Sequence, residues 1–280
     1  MTEIIHGKIV GPYSRVVQML NKATRNGKGN QDNAYFHFSK NALRVIYALP
    51  GNTATSYSTF HAPDYLTEVS TERDEEYGEA IIDIDAFFDY LDLIQGTDNV
   101  ELIFKGDVNS EVATVCEMRG ALTARIHLPA ADSILDMVPR WISQNFNSDN
   151  KYFSQTEDGG KKYLPTTVHT QAEELQRIVK VVESDNVSGI VNFPFVVRDG
   201  NLTMEAGDEQ TRNSVFGSLN GKVEGEDVAN AYQPGFVKAV ESLSGSVEIQ
   251  TAHGGPLVIV YDEIQGATIR HILALTTTLD

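Results

Sequence analysis

The chain has 280 residues, 41% of them hydrophobic, with nine Pro and one Cys, which excludes collagen-like, low-complexity and disordered classes. Twenty-two Lys and Arg face 39 Asp and Glu, for a formal net charge of -17 and a pI near 4.7. Nucleic acid is therefore repelled by the surface as a whole, and any DNA contact must be local. Lys is scarce, at 11 residues, and an acidic, Lys-poor surface fits a protein kept soluble in very high salt, where charge is screened over a few ångströms. The single Cys116 excludes an intramolecular disulfide and a Cys-based zinc site, and it reads as a buried, inert thiol. The sequence has no apolar run of spanning length and no basic-then-apolar leader, so a soluble, non-secreted protein is expected, cytoplasmic and without membrane contact.

In chain order, IIHGKIV reads as a strand. It is followed by a helix from Tyr13 to Thr24 with Val16, Val17, Leu20 and Ala23 inward, and by strands AYFHF, LRVIYAL and SYSTFHA. The strand GEAIIDI leads into a second helix, Asp85 to Ile94, marked by Phe87, Phe88 and Leu91 and stopped by Gly96; VELIF then opens three strands separated by Gly-containing turns. The pattern recurs after residue 165. TTVHT precedes a helix over Gln171 to Glu183 with Leu175, Ile178, Val179 and Val182 inward, followed by GIVNFPFVV, NLTMEA and SVFGSL. VEGEDVA reads as the strand leading the fourth unit, whose helix, Pro234 to Leu243, carries Phe236, Val237 and Val240 and stops at Gly245 before VEIQT.

The chain is thus a strand-helix-three-strand unit repeated four times. The fold class expected is α+β: two tandem domains, 1-128 and 166-280, each of two units, with helices on one face of antiparallel sheets. Residues 129-165 form a long connector holding the only Trp, and loops of that length are usually functional or flexible.

This organisation is that of the archaeal and eukaryotic sliding clamps, the proliferating cell nuclear antigen (PCNA) family, and local sequence agrees. Leu202 to Phe216, LTMEAGDEQTRNSVF, resembles the family's strand, Gly-Asp turn and strand; Ser242 to Tyr261, SLSGSVEIQTAHGGPLVIVY, resembles its Ser-Gly, strand and Pro-Leu-Val strand; Ala48 to Asn52, ALPGN, is similar to its Asp-Pro turn with Leu49 in place of Asp. Two departures stand out. Ile272-Leu273-Ala274-Leu275 replaces the family's Tyr-Leu-Ala-Pro ending, and the connector is longer than usual. A divergent clamp, haloarchaeal or haloviral and so in cell or host cytoplasm, fits both.

The resemblance implies the DNA clamp fold and a processivity factor that encircles duplex DNA without reading its sequence. It implies a homotrimer, closed head to tail by edge strands near Val112 to His127 and Met204 to Leu219. It also implies that DNA polymerase, clamp loader and other proteins with a PCNA-interacting peptide (PIP) motif are partners, with no cofactor and no metal. The hole would be lined by the outward helix faces: Arg15, Lys22, Arg25 and Lys28 on or just beyond the first helix, Arg177 and Lys180 on the third, and Lys238 on the fourth. On the second helix the outward stripe is Asp85, Asp89 and Asp92, which repels phosphate; a solvated acidic face and a divalent-cation site are its two readings. For the peptide groove, residue-wise match gives Pro256, Ile272 and Leu275 on the C-terminal side and Ala48 and Leu49 on the first domain. The connector contributes the apolar run ILDMVPRWI with Leu135, Val138 and Trp141, which either frames the groove or fills it.

Other classes remain. A clamp-fold adaptor or structural protein that has lost ring or DNA function has the same sequence pattern. An enzyme would need a site assembled from distant loops: there is no G-x-S-x-G, His253-Gly254-Gly255 sits in an expected hairpin turn, Gly27-Lys28-Gly29 lacks the rest of a phosphate loop, and the seven His never pair at metal-ligand spacing.

Overall fold

The computed structural model describes all residues except 1, 25-32, 49-53, 74-76, 131-143, 183-192, 209-212, 233-239, 264-265 and 279-280. The chain forms two compact units. Unit 1 comprises Met1–Ala48, Ser56–Arg140 and Asp262–Ile269, and unit 2 comprises Leu49–Thr55, Trp141–Tyr261 and Arg270–Asp280.

Unit 1 is built from β1 (Glu3–Pro12), α1 (Tyr13–Thr24), β2 (Asn33–Ser39), β3 (Ala42–Ala48), most of β4 (Ala54–His61), β5 (Glu68–Ser70), β6 (Gly78–Asp83), α2 (Ile84–Ile94), β7 (Asn99–Asp107), β8 (Val115–Arg119) and β9 (Thr123–His127). One sheet has the order β5-β1-β7-β8-β9, and β6-β2-β3-β4 run side by side in another. The registered pairs are antiparallel. α1 buries Val16, Met19, Leu20 and Ala23 completely, the i, i+3, i+4, i+7 spacing of one helix face. α2 starts where β6 ends, because Asp83 caps it by accepting from Ala86 N at 2.9 Å. Phe87 of α2 meets Phe36 and Phe104 at centroid distances of 6.1 and 6.0 Å, and Phe38 meets Phe104 at 4.9 Å. All four rings are fully buried, so this aromatic cluster is the centre of the unit's core.

An ion ladder crosses four strands of the first sheet. Glu68 pairs with Lys8 at 3.2 Å, Lys8 with Glu101 at 3.0 Å and Glu101 with Arg119 at 2.9 Å; Arg119 pairs with Glu117 at 2.6 Å and Glu117 with Lys105 at 2.8 Å. Burial pushes the Glu101 carboxyl up, but hydrogen bonds from Lys8 and Arg119 outweigh it and hold the group below its ordinary range.

Unit 2 contains the hairpin β10 (Phe153–Gln155) and β11 (Lys161–Tyr163), then β12 (Thr166–Gln171), α3 (Ala172–Val182), β13 (Phe193–Arg198), β14 (Asn201–Asp208), β15 (Asn213–Leu219), β16 (Gly221–Glu224) and β17 (Val228–Tyr232). It continues with β18 (Ser246–Thr251), most of β19 (Leu257–Glu263), β20 (Ala267–Leu273) from Arg270 onward and β21 (Leu275–Thr278). Its strands run β16-β12-β18-β19-β20 and β15-β14-β13-β17-β21, the same orders as in unit 1 with β21 added. The likeness extends to single hydrogen bonds. The first residue of α1, Tyr13, donates its N–H to Asp98 O at 3.2 Å, and the first residue of α3, Ala172, donates to Gly245 O at 2.8 Å.

VEGEDVA is not one strand. It splits into the end of β16, paired with β12, and the start of β17, paired with β13. Gly225 makes the break at φ +108, and a Cβ there would lie 2.1 Å from Pro165 O, so only glycine fits the corner. Of the fourth helix, Val240 and Glu241 are described, and both are helical. The connector's far end is ordered as the β10-β11 hairpin and the turn that precedes it.

Candidate functional site

The helix faces expected to meet DNA differ in what they offer. On α1, Gln18 is exposed and Arg15 is half-buried, its guanidinium 5.0 Å from the Tyr65 ring centroid. Lys22, expected on the open face, is only 8% exposed. At about 100° per residue, Arg15 and Lys22 fall roughly 90 to 110° from the centre of the buried stripe, on its flank and not opposite it. Their stems therefore run along apolar surface. Arg25 and Lys28 lie outside the described residues.

α2 presents Asp89 and Asp92 to solvent, with Asp85 half-buried; Asp92 Oδ1 accepts from the Tyr13 hydroxyl at 3.1 Å, which ties α2 to α1. Among the described residues, no three His, Cys, Asp or Glu converge on a metal position. Burial pushes the Cys116 thiol well above its ordinary range, so it is unreactive.

In unit 2, Arg177 of α3 is exposed and pairs with Glu174. Lys180 lies within the same helix, and Lys238 is outside the described residues. The inner side of α3 is tied to the chain before β18. Gln176 Nε2 donates to Val240 O at 2.9 Å and Leu243 O at 2.7 Å, and Glu173 Oε1 accepts from Gly245 N at 2.9 Å. That last bond is the main cause holding the Glu173 carboxyl below its ordinary range.

Of the expected groove residues, Leu49, Leu135, Val138 and Trp141 lie outside the described residues, and Ala48 ends β3 half-buried. Pro256, Ile272 and Leu275 are all half-buried in unit 2. The structure brings two of them to one place. Asn230 Nδ2 donates to Ala252 O at 2.8 Å, its Oδ1 accepts from Gly254 N at 3.0 Å, and Tyr232 Oη donates to Gly255 O at 3.0 Å. The turn carrying His253 and Pro256 is thereby pinned to β17, whose Tyr232 stands opposite Leu275 of β21. Ile272 lies instead on β20.

Among the described residues, each unit also ends a sheet in an edge strand paired on one side only, β9 with β8 in unit 1 and β15 with β14 in unit 2. These fall inside the two segments expected to hold edge strands. Beside β9 the surface is apolar: Leu93 is 59% exposed and Leu122 62%. Ala121 N donates to Ile94 O at 3.0 Å, setting the β8-β9 turn against the end of α2. The sequence reading passed over Leu93 and Leu122; the signal was an apolar residue at the outward end of a helix and another in a turn.

No protein-family model matches the sequence. No curated protein matches it either. Solved structures do. The A. fulgidus PCNA described as bound to the C-terminal region of FEN-1 matches with TM-score 0.69 at 16% identity, over 98% of this chain and 100% of that one. A putative DNA polymerase III beta subunit from Eubacterium rectale matches with TM-score 0.68 at 13% identity, over 96% of this chain but 65% of its own length. PCNA from Entamoeba histolytica matches with TM-score 0.64 at 12% identity, over 98% and 100%. Strand order, internal repeat and whole-chain superposition therefore agree: the chain has the sliding-clamp fold, in a divergent PCNA-like form.

Proposed function

We propose that the chain is a sliding clamp, three copies of which close head to tail around duplex DNA and tether replication and repair enzymes to it. The observation that carries this reading is the pair of free edges. Two units of one strand order leave β9 and β15 with a single strand neighbour each among the described residues, β8 and β14, and an open strand edge is a template for another chain. Joining β9 of one copy to β15 of the next is a heterologous contact, which generates a ring when the rotation closes. The apolar surface at Leu93 and Leu122 adjoins β9 and would be covered by the same contact.

A ring holds DNA topologically, so its inner surface needs only weak, sequence-independent phosphate contacts. Arg15, Arg25, Lys28, Arg177, Lys180 and Lys238 supply these in the proposal, with Lys22 in a supporting place on the flank of α1. No catalytic group takes part. The partners are DNA polymerase, clamp loader and PIP-motif proteins, received on the surface of Pro256, Ile272 and Leu275 together with Ala48, Leu49 and the connector residues Leu135, Val138 and Trp141. The acidic stripe of α2 favours one other reading, a clamp-fold adaptor that does not hold DNA.

Retention on plasmid DNA separates the two. A clamp co-elutes in gel filtration with nicked circular plasmid and is lost when the plasmid is linearised, because it slides off the ends. Replacing the exposed Arg177 by Glu reduces retention with little change in the melting temperature. Absence from circular plasmid under every loading condition would support the adaptor.

A further inference from the structure

In unit 1, the pairing of β1 with β7 shifts register between Ile5 and Gly7. His6 is the extra residue of this bulge, and a bulge re-aims its side chain. The imidazole is fully buried, and Gly106 makes room for it: a Cβ there would lie 2.8 Å from His6 Nε2. Nε2 stands 3.4 Å from Ser110 Oγ and 3.5 Å from Asp107 O, while Ser110 Oγ donates its own proton to Asp107 O at 2.7 Å. Nδ1 has no hydrogen-bond partner among the described residues. The site therefore accommodates a neutral imidazole with its proton on Nε2, and it rejects an imidazolium, whose second N–H meets no acceptor.

A cation already occupies the neighbouring place. Arg73 Nη1 donates to Ser110 O at 3.0 Å and Glu111 O at 3.1 Å, and Nη2 to Val108 O at 3.4 Å, so His6 and Arg73 together fasten the connection from β7 to β8. Burial first, and then the charge of Arg73, oppose a proton on His6, against the Asp107 carbonyl, which favours it. Of the carboxylates on the surrounding elements, Glu72 Oε2 accepts from Ile5 N at 2.8 Å and Asp107 Oδ1 from Asn109 N at 2.9 Å. Glu79 of β6 and Glu111 complete the described set; Asp74, Glu75 and Glu76 lie outside the described residues. Lys8 and Lys105 are engaged in the ion ladder. The fastened connection leads to the open edge of the sheet. Val112 and Ala113 are buried, Ala113 N donates to Glu79 O at 2.8 Å and Thr114 N to Lys105 O at 2.8 Å, and Thr114 O accepts from Leu128 N at 2.9 Å, just past the end of β9.

We propose that His6 is an acid-sensitive latch: neutral, it holds the β7-β8 connection in place, and protonated, it releases residues 108-114 and with them the far end of β9, so that the edge loses its order and neighbouring copies part. The latch stands on unit 1 alone, and its use in regulating assembly rests on the ring reading. The sign sets it apart from general charge effects. Acid lowers the net negative charge, which alone would tighten a contact between like-charged copies, whereas opening the latch loosens it.

Amide exchange of the full chain, at concentrations where it is a single chain, tests the latch. Once the connection opens, His6 regains its ordinary pKa of about 6.5, so the protection of the Ala113 and Leu128 amides, corrected for intrinsic rate, falls about tenfold between about pH 7.5 and about pH 5, while the amides shared by β2 and β3 keep theirs. His6→Gln, which stays neutral, abolishes the fall. Protection that holds in acid would overturn the latch, and an equal fall in His6→Gln would assign it to another group. If His6→Gln does not fold, the ring-carbon shift of His6 in the unaltered chain takes its place: the ring titrates over the pH range in which protection falls, and a fall while the ring stays neutral would overturn the latch. Sedimentation velocity in molar KCl tests the regulation. The assembly midpoint moves to higher protein concentration at about pH 5 in the unaltered chain and not in His6→Gln. A midpoint that does not rise although the amides have opened would overturn the link to assembly. The mass of a single chain at both pH values would overturn the ring reading and the regulation with it, and the amides alone then decide the latch.

Discussion

Replacing Leu93 and Leu122 together by Ala tests the contact on which the ring depends. Both side chains are mostly exposed in the single chain, 59% and 62%, so their removal leaves the folded chain almost as stable as before. Fully burying a Leu stabilises by about 1.5 to 3 kcal/mol, and with roughly three fifths of each still open, a neighbouring copy gains about 1 to 2 kcal/mol per residue. Incomplete coverage at a rim lowers the pair to about 2 kcal/mol per interface, close to a thirtyfold loss in affinity at about 1.4 kcal/mol per tenfold. Sedimentation velocity across a concentration series in molar KCl reads this as a shift of the assembly midpoint to higher protein concentration, with an unchanged thermal melt. An unchanged midpoint would show that these residues are not in the subunit contact. A lowered melting temperature at concentrations where the chain is monomeric would show that their exposure has been misread.

Phe87→Ala removes the ring at the centre of the unit 1 cluster and costs about 3 to 5 kcal/mol; denaturant unfolding checks it, and a loss below about 1 kcal/mol would mean the cluster collapses without strain. Glu101→Gln cuts the ion ladder at its middle. These groups are partly exposed, so the cost is about 1 kcal/mol in dilute buffer and disappears in molar salt, where screening acts within about 3 Å; a cost independent of salt contradicts the electrostatic account. His6 is fully buried, and burial, then the charge of Arg73, hold its imidazole below its ordinary value. The unfolded chain therefore binds the proton first as pH falls. The stability that neutral His6 contributes is complete above about pH 6.5 and declines below it. His6→Gln flattens this part of the pH profile if it folds, and an identical slope in the variant would assign the titration to another group.

The parts legible in the sequence are those set by short-range pattern. Apolar spacing at Val16, Leu20 and Ala23 placed α1 at its observed bounds, and Phe87, Phe88 and Leu91 placed α2 to within one residue at its start. The repeat was visible because each copy needs the same helix stop and the same following strand. What the sequence could not show came from longer range. The break at Gly225 depends on the approach of Pro165, 60 residues away in sequence, and no alternation in VEGEDVA announces it. Lys22 was placed on the open face by its helical spacing from Arg15 and Gln18, whereas the buried stripe of Val16, Met19, Leu20 and Ala23 sets it on that stripe's flank. Asn150, in the turn before β10, accepts from Gln250 and Arg270 across 100 and 120 positions. In the sequence, NSDN was only a stretch of the long connector, and Gln250 only a polar residue in an alternating strand. The two edge segments came from the resemblance to the clamp family, since a repeat by itself fixes no strand order.

The central claim is that the unaltered chain closes into a ring of three, and light scattering at about 0.2 M and about 3 M KCl tests it most directly, since salt screens repulsion between subunits of like charge. The account predicts the mass of three chains at the higher salt, with loosening at the lower one because each subunit carries -17. The mass of a single chain at both concentrations would contradict it.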